Sequence, residues 1–318
     1  MDQQLTQTAL IKTGVILGIR KGWHGFLWMI KIVLPVSLLT TMLEWTGWLH
    51  RIDFLIAPVM KFLSLPAAAA LPLIIGMAAN IYGGIAAMVV LPLNKGQMTL
   101  IGIFLLMAHN LIQEGIVQGK SGINPLKATL FRIITATITV MIVAPWLVSG
   151  PIADAPAVAA MAVRPAFAVL LGKWLGIAFF LCLKIFFIIM SIMTLLEVMK
   201  FLDWIGVIAK LFSPLLKLMG LGEKVGLLWV TAIIFGLAYG GAVIVEEARA
   251  GHISPEDLEM LHLSIGINHS MVEDPPLFIS LGLNAFWLYL PRLIVALITA
   301  HLIRLWHIWF TSRKDGKI

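Results

Sequence analysis

The chain has 318 residues, of which 60% are hydrophobic and 12% charged, with a mean hydropathy of +0.98. An ordinary soluble domain is about half apolar and about a quarter charged, so this composition excludes a soluble protein and leaves no length for a soluble catalytic domain beside the membrane part. The net charge of +7 points to membrane topology rather than nucleic acid, because no Gly-rich phosphate loop and no basic run with interleaved aromatics accompanies it. The single cysteine, Cys182, excludes an intramolecular disulfide, a Cys-type zinc site and an iron–sulfur cluster. No cofactor is expected.

Asp2, Gln3 and Gln4 open the chain and no small-residue cleavage site follows the first apolar run, so the N-terminus does not read as a cleaved signal peptide. Residues 1–23 form an amphipathic segment: Leu5, Ala9, Leu10 and Ile16 stand among polar neighbours and the segment closes on Arg20-Lys21, which predicts a short surface helix over 5–21. A helix needs about 20 apolar residues to cross a bilayer. Stretches of that order lie at 24–44, 98–117, 127–148, 167–198 and 286–308, with a more polar sixth at 257–273. Two further apolar segments, 66–93 and 225–247, are interrupted by Gly83-Gly84 and Gly240-Gly241. Glycine lets the backbone reverse, and non-helical backbone at membrane depth must be packed in protein or line a wet cavity, so both segments predict re-entrant hairpins; two kinked spans are the alternative. The expected fold is an all-α integral membrane protein with about six transmembrane helices plus two re-entrant hairpins, in two inverted-topology repeats.

With both termini in the cytoplasm, fifteen Lys and Arg fall on the inner side against Arg51, Lys61, Lys95 and Arg164 outside, which satisfies the positive-inside rule. The organisation that follows is repeat 1 over 24–148, an extracytoplasmic linker over 149–164, repeat 2 over 165–310 and a basic cytoplasmic tail over 311–318. The expected location is the inner (cytoplasmic) cell membrane, multi-pass.

The repeat is visible when the chain is slid against itself. Lys31, Thr41 and Glu44 recur as Lys184, Thr194 and Glu197; Pro58 and Lys61 as Pro214 and Lys217; Tyr82-Gly83-Gly84 as Tyr239-Gly240-Gly241. From His109 the shift is constant: His109 meets His269, Glu114 meets Asp274, Asn124 meets Asn284, Arg132 meets Arg292 and Thr139 meets Thr299. Each copy reads span, surface helix, hairpin, span, span. An odd number of crossings inverts the second copy, a common plan of secondary transporters whose solute site lies where the broken segments meet.

Two constellations are candidate substrate-binding residues. At the hairpin tips, Asn80 and Tyr82 adjoin Gly83 and Gly84, and Tyr239 adjoins Gly240 and Gly241, in a chain with three tyrosines. A plainer reading is that these glycines only let helices approach closely. In the polar sixth span, Glu259, His262, Gly266, His269 and Glu273 share one helical face, and His109 and Gln113, with Glu114 adjacent, answer them in the first copy. Ionisable groups within spans mark solute or proton paths, and a histidine beside an acid exchanges a proton near neutral pH. Asp274 stands before Pro275-Pro276 and reads equally as a helix N-cap. The same histidines and acids suit a divalent metal, although His269 and Glu273 supply only two ligands from one helix.

The segment Leu71-Pro72-Leu73-Ile74-Ile75-Gly76-Met77-Ala78-Ala79-Asn80-Ile81-Tyr82-Gly83-Gly84-Ile85-Ala86-Ala87-Met88, after the surface stretch 49–65, resembles a nucleoside-recognition (Gate) domain. That domain occurs in spore-maturation membrane proteins, in the membrane part of ferrous-iron permeases and, in a related form, in concentrative nucleoside transporters. The resemblance extends over roughly 24–145 and 177–305, and it implies paired hairpins and broken helices around a central solute site. It does not establish nucleosides as the substrate, and without a GTPase domain an iron reading is weakened. The expected function is a membrane transporter moving a small polar or anionic solute by proton-coupled alternating access, and not an enzyme. The alternatives are a divalent-metal permease, an intramembrane enzyme or carrier acting on a lipid-linked substrate, for which no nucleophile motif is visible, and a structural subunit. The expected partners are the lipid bilayer, a small-molecule solute and a second copy or paired Gate-type subunit, with no nucleic acid.

Overall fold

The computed structural model describes residues 2–51, 53–148 and 166–314; the expected linker 149–164 lies outside them. Every regular element among the described residues is helical. In chain order these are α1 (Asp2–Thr46), α2 (Trp48–Arg51), α3 (Asp53–Phe62), a 3-10 turn (Ala67–Ala69), α4 (Ala70–Ala78), α5 (Ile81–Met88), α6 (Lys95–Ala108), α7 (Leu111–Lys120) and α8 (Pro125–Leu147). After residue 166 follow α9 (Phe167–Phe201), α10 (Trp204–Leu218), α11 (Glu223–Arg249), α12 (Pro255–Asn268), α13 (Pro275–Ser280) and α14 (Ala285–Lys314).

Five stretches are long and apolar enough to cross a membrane: 7–46, 95–120, 125–147, 167–201 and 285–309. The number rises to seven if the bent pairs 56–62 with 67–78 (84°) and 206–218 with 223–236 (113°) each make one span. The polar stretch expected to cross at 257–273 is not a single helix. Its helix, α12, has 14 residues and stops at Asn268, well short of the roughly 20 a crossing needs. The N-terminal segment also differs from expectation, because α1 runs on through residues 21–24 with no break between a surface helix and a span. Its polar start is held against α9 by close packing of small residues. A β-carbon on Gly14 would lie 2.9 Å from Val198 Cα, and one on Gly22 2.9 Å from Met190 Sδ, with Gly18 against Thr194 between them. The pairing runs antiparallel, and Lys21 Nζ closes it on Glu197 at 2.9 Å.

Gly83 and Gly84 do not form a reversal. They sit inside α5, and the break falls before them at Ala79-Asn80, where Asn80 is extended (φ −173°) and its side chain accepts from the Gly83 amide at 2.8 Å. In the second half the break is at Gly236 (φ 70°, ψ 175°) within α11, upstream of Gly240 and Gly241. The glycines serve the close approach of the two arms across each break. A β-carbon on Gly84 would meet Leu105 Cδ1 at 2.6 Å and the Pro72 carbonyl oxygen at 3.1 Å, and one on Gly240 would meet Ala232 Cα at 2.6 Å.

Local geometry recurs between the halves at two caps and four left-handed positions, Gly236 and Gly251 being left-handed in the second half only. α6 and α12 have 14 residues each, start on side-chain caps from Asn94 and Ser254, and end on His109 and His269. Positive φ recurs at Gly47 and Asp203, Ser64 and Gly220, Asn110 and Ser270, and Gly122 and Gly282. Asn124 and Asn284 each accept an amide at 2.9 Å at the start of the helix that follows. The interior is built on α6: 72% of the central window of 95–120 is buried, against 22% of that of 167–201.

Candidate functional site

Two turns at the ends of α6 and α12 meet in the interior. His109 and His269 close their helices in extended conformation, and Asn110 (φ 53°) and Ser270 (φ 52°) then turn the chain through the left-handed region. Asn110 N–H donates to the Gly76 carbonyl at 2.9 Å and Met271 N–H to the Ile233 carbonyl at 2.8 Å, so each turn is tied to the arm just before a break. Two buried arginines complete the frame. Arg132 of α8 donates to the Met107 and His109 carbonyls at 2.8 and 2.9 Å, and Arg292 of α14 donates to the Ile267 and His269 carbonyls at 3.2 and 2.8 Å. Helix-terminal carbonyls otherwise left without partners are thereby satisfied.

The histidines reach across to each other and to acids from both halves. Their ring centroids are 4.8 Å apart and their Nε2 atoms 3.4 Å. His269 Nε2 lies 3.1 Å from Glu114 Oε1; His109 Nε2 lies 3.5 Å from Glu114 Oε1 and 3.5 Å from Asp274 Oδ2. Glu114 is ion-paired with Arg132, whereas Asp274 Oδ2 and Arg292 Nη1 are buried without a hydrogen-bond partner. Beside this cluster lies a cavity of about 190 Å³ lined by both breaks and both turns, including Asn80, Tyr82, His109, Gln113, Glu114, Gly236, Ser270, Glu273 and Asp274. Tyr82 Oη donates to Glu273 Oε1 at 3.4 Å, joining the first break to the second turn.

Of the residues singled out in the sequence, Asn80, Tyr82, His109, Gln113, Glu114, His269, Glu273 and Asp274 converge here. Three details differ from expectation. Glu273 is not on the helical face with His262 and His269, since α12 ends at Asn268 and Glu273 lies in the following turn; likewise a break separates His109 from Gln113 on α7. His262 is elsewhere, fully buried with Nε2 2.6 Å from Ser121 Oγ, and Glu259 pairs with Lys127. Gly83, Gly84, Gly240 and Gly241 are helical and do not line the cavity; Tyr239 is on α11, and its side chain lies outside the described ones. Arg132, counted above among the inner-surface charges, is 1% exposed and belongs to the site. It and Arg292 were missed as site residues, although their match in the repeat was the signal; Gly236, Asn110 and Ser270 carried no such mark.

The fold and this interior define a multi-pass helical membrane protein. Residues 26–149 match the family model described as "Gate: Nucleoside recognition". The match takes in the first of the two stretches that resemble that family and not 177–305. The chain is 28% identical over 306 residues, 93% of its own length and 96% of the relative's, to "Uncharacterized membrane protein YvoD" of Bacillus subtilis (strain 168). No solved structure matches.

Proposed function

We propose that the protein is a permease that moves a small polar solute through the cavity between the two breaks by alternating access. The observation that carries this is the cavity itself: about 190 Å³, deep in a membrane-embedded fold and lined by non-helical backbone from two related halves. Such backbone is tolerated at membrane depth only in contact with protein or water, and broken helices from inverted repeats build transporter sites. On this reading α4 with α5 and the two arms of α11 are re-entrant hairpins, and the halves are inverted repeats whose pseudo-twofold axis passes between His109 and His269. The antiparallel pairing of α1 with its counterpart α9 supports the same axis.

The charges in the site favour a proton or a cationic or neutral solute over an anion. Three carboxylates, Glu114, Glu273 and Asp274, stand against Arg132 and Arg292, with the two histidines able to hold a proton. Coupling to protons at His109 and His269 is part of the proposal, as is an inner-membrane location with both termini cytoplasmic.

The test is two-sided accessibility. A single cysteine at Gln113, which is exposed on the cavity wall, in a Cys182→Ala background is expected to react with impermeant reagents added from either face of sealed vesicles, with the balance shifted by pH. Reaction from one face alone under every condition contradicts alternating access.

A further inference from the structure

The cluster at the cavity floor brings four atoms with lone pairs together: two imidazole nitrogens and two carboxylate oxygens. His109 Nδ1 lies 2.7 Å from the Leu105 carbonyl oxygen and His269 Nδ1 3.1 Å from that of Ile265. A carbonyl only accepts, so both Nδ1 atoms carry the proton and both Nε2 atoms present lone pairs. These lone pairs face each other at 3.4 Å and face Glu114 Oε1 and Asp274 Oδ2 at 3.1–3.5 Å. With neutral imidazoles and ionised acids these edges are repulsive, and a cation, either a proton or a metal ion, relieves them.

At His109 the spacing is close to that of a metal ion's ligands, while the His269–Asp274 edge is wider, up to 4.8 Å, and closes when an ion binds. A zinc-like ion bound at about 2.0–2.1 Å in tetrahedral geometry sets its ligands about 3.3–3.4 Å apart, and the two edges at His109 Nε2 are 3.4 Å to His269 Nε2 and 3.5 Å to Asp274 Oδ2. His109, His269 and Asp274 are all buried, and one ligand atom from each lies within 4.8 Å of the others. Each histidine already has the outer hydrogen bond to a carbonyl that orients metal-bound imidazoles. Asp274 Oδ2, buried with no hydrogen-bond partner, is a ligand atom in waiting. Glu114 lies beside the remaining position but is also held by Arg132.

We infer that His109, His269 and Asp274 bind a divalent transition-metal ion of the zinc class, with its fourth position shared between Glu114 and the solute cavity. Two imidazoles and a carboxylate select such ions over magnesium and calcium, which take oxygen ligands. The three ligands come from both halves of the chain, so any rocking of one half against the other opens the site and releases the ion. As a statement of what the cavity carries, this rests on the permease reading above; as a binding site it stands separately.

The experiment is equilibrium binding of Zn²⁺ to the purified, chelator-stripped full chain in detergent, by competition with a zinc indicator and by metal analysis after gel filtration. One ion per chain is expected, with Mg²⁺ and Ca²⁺ unable to displace it. Asp274→Asn and His269→Ala are expected to weaken binding by at least about 100-fold, the upper end of what losing even an outer-shell partner costs, while His262→Ala leaves it unchanged. X-ray absorption of the zinc-loaded wild type is expected to show two imidazole ligands and does not depend on any variant folding. Binding that survives both ligand substitutions, or a spectrum with fewer than two imidazoles, overturns the site, as does no binding at all. Zinc bound as expected while Gln113 stays reachable from one face only leaves the site standing and removes the permease reading; two-sided access without zinc binding does the reverse.

Discussion

Arg132 and Arg292 hold the two histidine turns in the same way, yet only Arg132 also neutralises a carboxylate, and this asymmetry yields a quantitative expectation. Arg132→Met removes two hydrogen bonds to carbonyls and the ion pair with Glu114, all at a residue 1% exposed. Breaking a buried ion pair by deleting one partner costs about 3–5 kcal/mol, because the other charge stays buried without compensation. Arg292→Met removes the two carbonyl bonds and a longer-range attraction to Asp274 but no direct ion pair among the described residues, and each unsatisfied buried acceptor costs about 1–3 kcal/mol. The carbonyl loss is common to both, so Arg132→Met is expected to be worse by about 3 kcal/mol or more, the cost of stranding Glu114. Adding Glu114→Gln to Arg132→Met removes the stranded charge and is expected to restore most of that excess. Unfolding of both variants and the double variant in mixed detergent micelles, read by circular dichroism, gives the three differences. Equal losses for the two arginines, or no recovery in the double variant, refute the assignment of Glu114 as a buried anion held by Arg132.

Gly240→Val is expected to abolish folded yield, because its side chain would run into the Ala232 backbone; Gly83→Ala, whose one close contact is the Ile75 Cγ2 methyl at 2.8 Å, a side-chain rather than a backbone atom, is expected to lose less, with the two compared by size-exclusion profile. Gly18→Leu is expected to separate α1 from α9, since its neighbours at Thr194 and Met193 are backbone atoms; loss of a bifunctional-reagent crosslink between cysteines placed at positions 21 and 197, which are ion-paired in the native chain, checks it. Cysteine at residue 157 is expected to label from outside and cysteines at 120 and 220 from the cytoplasm; labelling of 157 from the cytoplasmic face alone contradicts the inverted arrangement. Glu273→Gln is expected to leave zinc affinity within a few-fold of wild type while altering transport, because Glu273 lines the cavity without joining the ligand cluster; an effect on binding as large as that of Asp274→Asn contradicts that division of roles.

The long apolar helices were legible because length and hydropathy are properties of the chain: 24–44, 167–198 and 286–308 lie within single helices and 127–148 overlaps α8, while 98–117 is broken at His109–Asn110 between α6 and α7. The polar stretch 257–273 misled for a physical reason: helical spacing continues on paper past His269, whereas Ser270 takes a left-handed conformation that no sequence period records. The repeated Tyr-Gly-Gly marked both breaks to within a few residues but for a different cause, since Gly84 and Gly240 accommodate the opposing arm and the backbone departs from helix at Asn80 and Gly236. Arg132 looked like an inner-surface charge because it follows a loop expected on the inner side; its partners, Met107, His109 and Glu114, come from other elements and are invisible to a charge tally. The same limit hid the pairing of His269 with Glu114, a contact between the halves rather than within either.

The central claim is that the histidine–carboxylate cavity carries a cation across the bilayer, and flux tests it most directly. Sealed proteoliposomes containing the wild-type chain, loaded at one pH and diluted into another with ⁶⁵Zn²⁺ outside, are expected to show saturable uptake that the pH gradient drives, and His269→Ala of equal insertion is expected to show none above protein-free liposomes. Uptake by wild type no greater than by protein-free liposomes, from a protein shown to bind zinc and to span the membrane, contradicts the account.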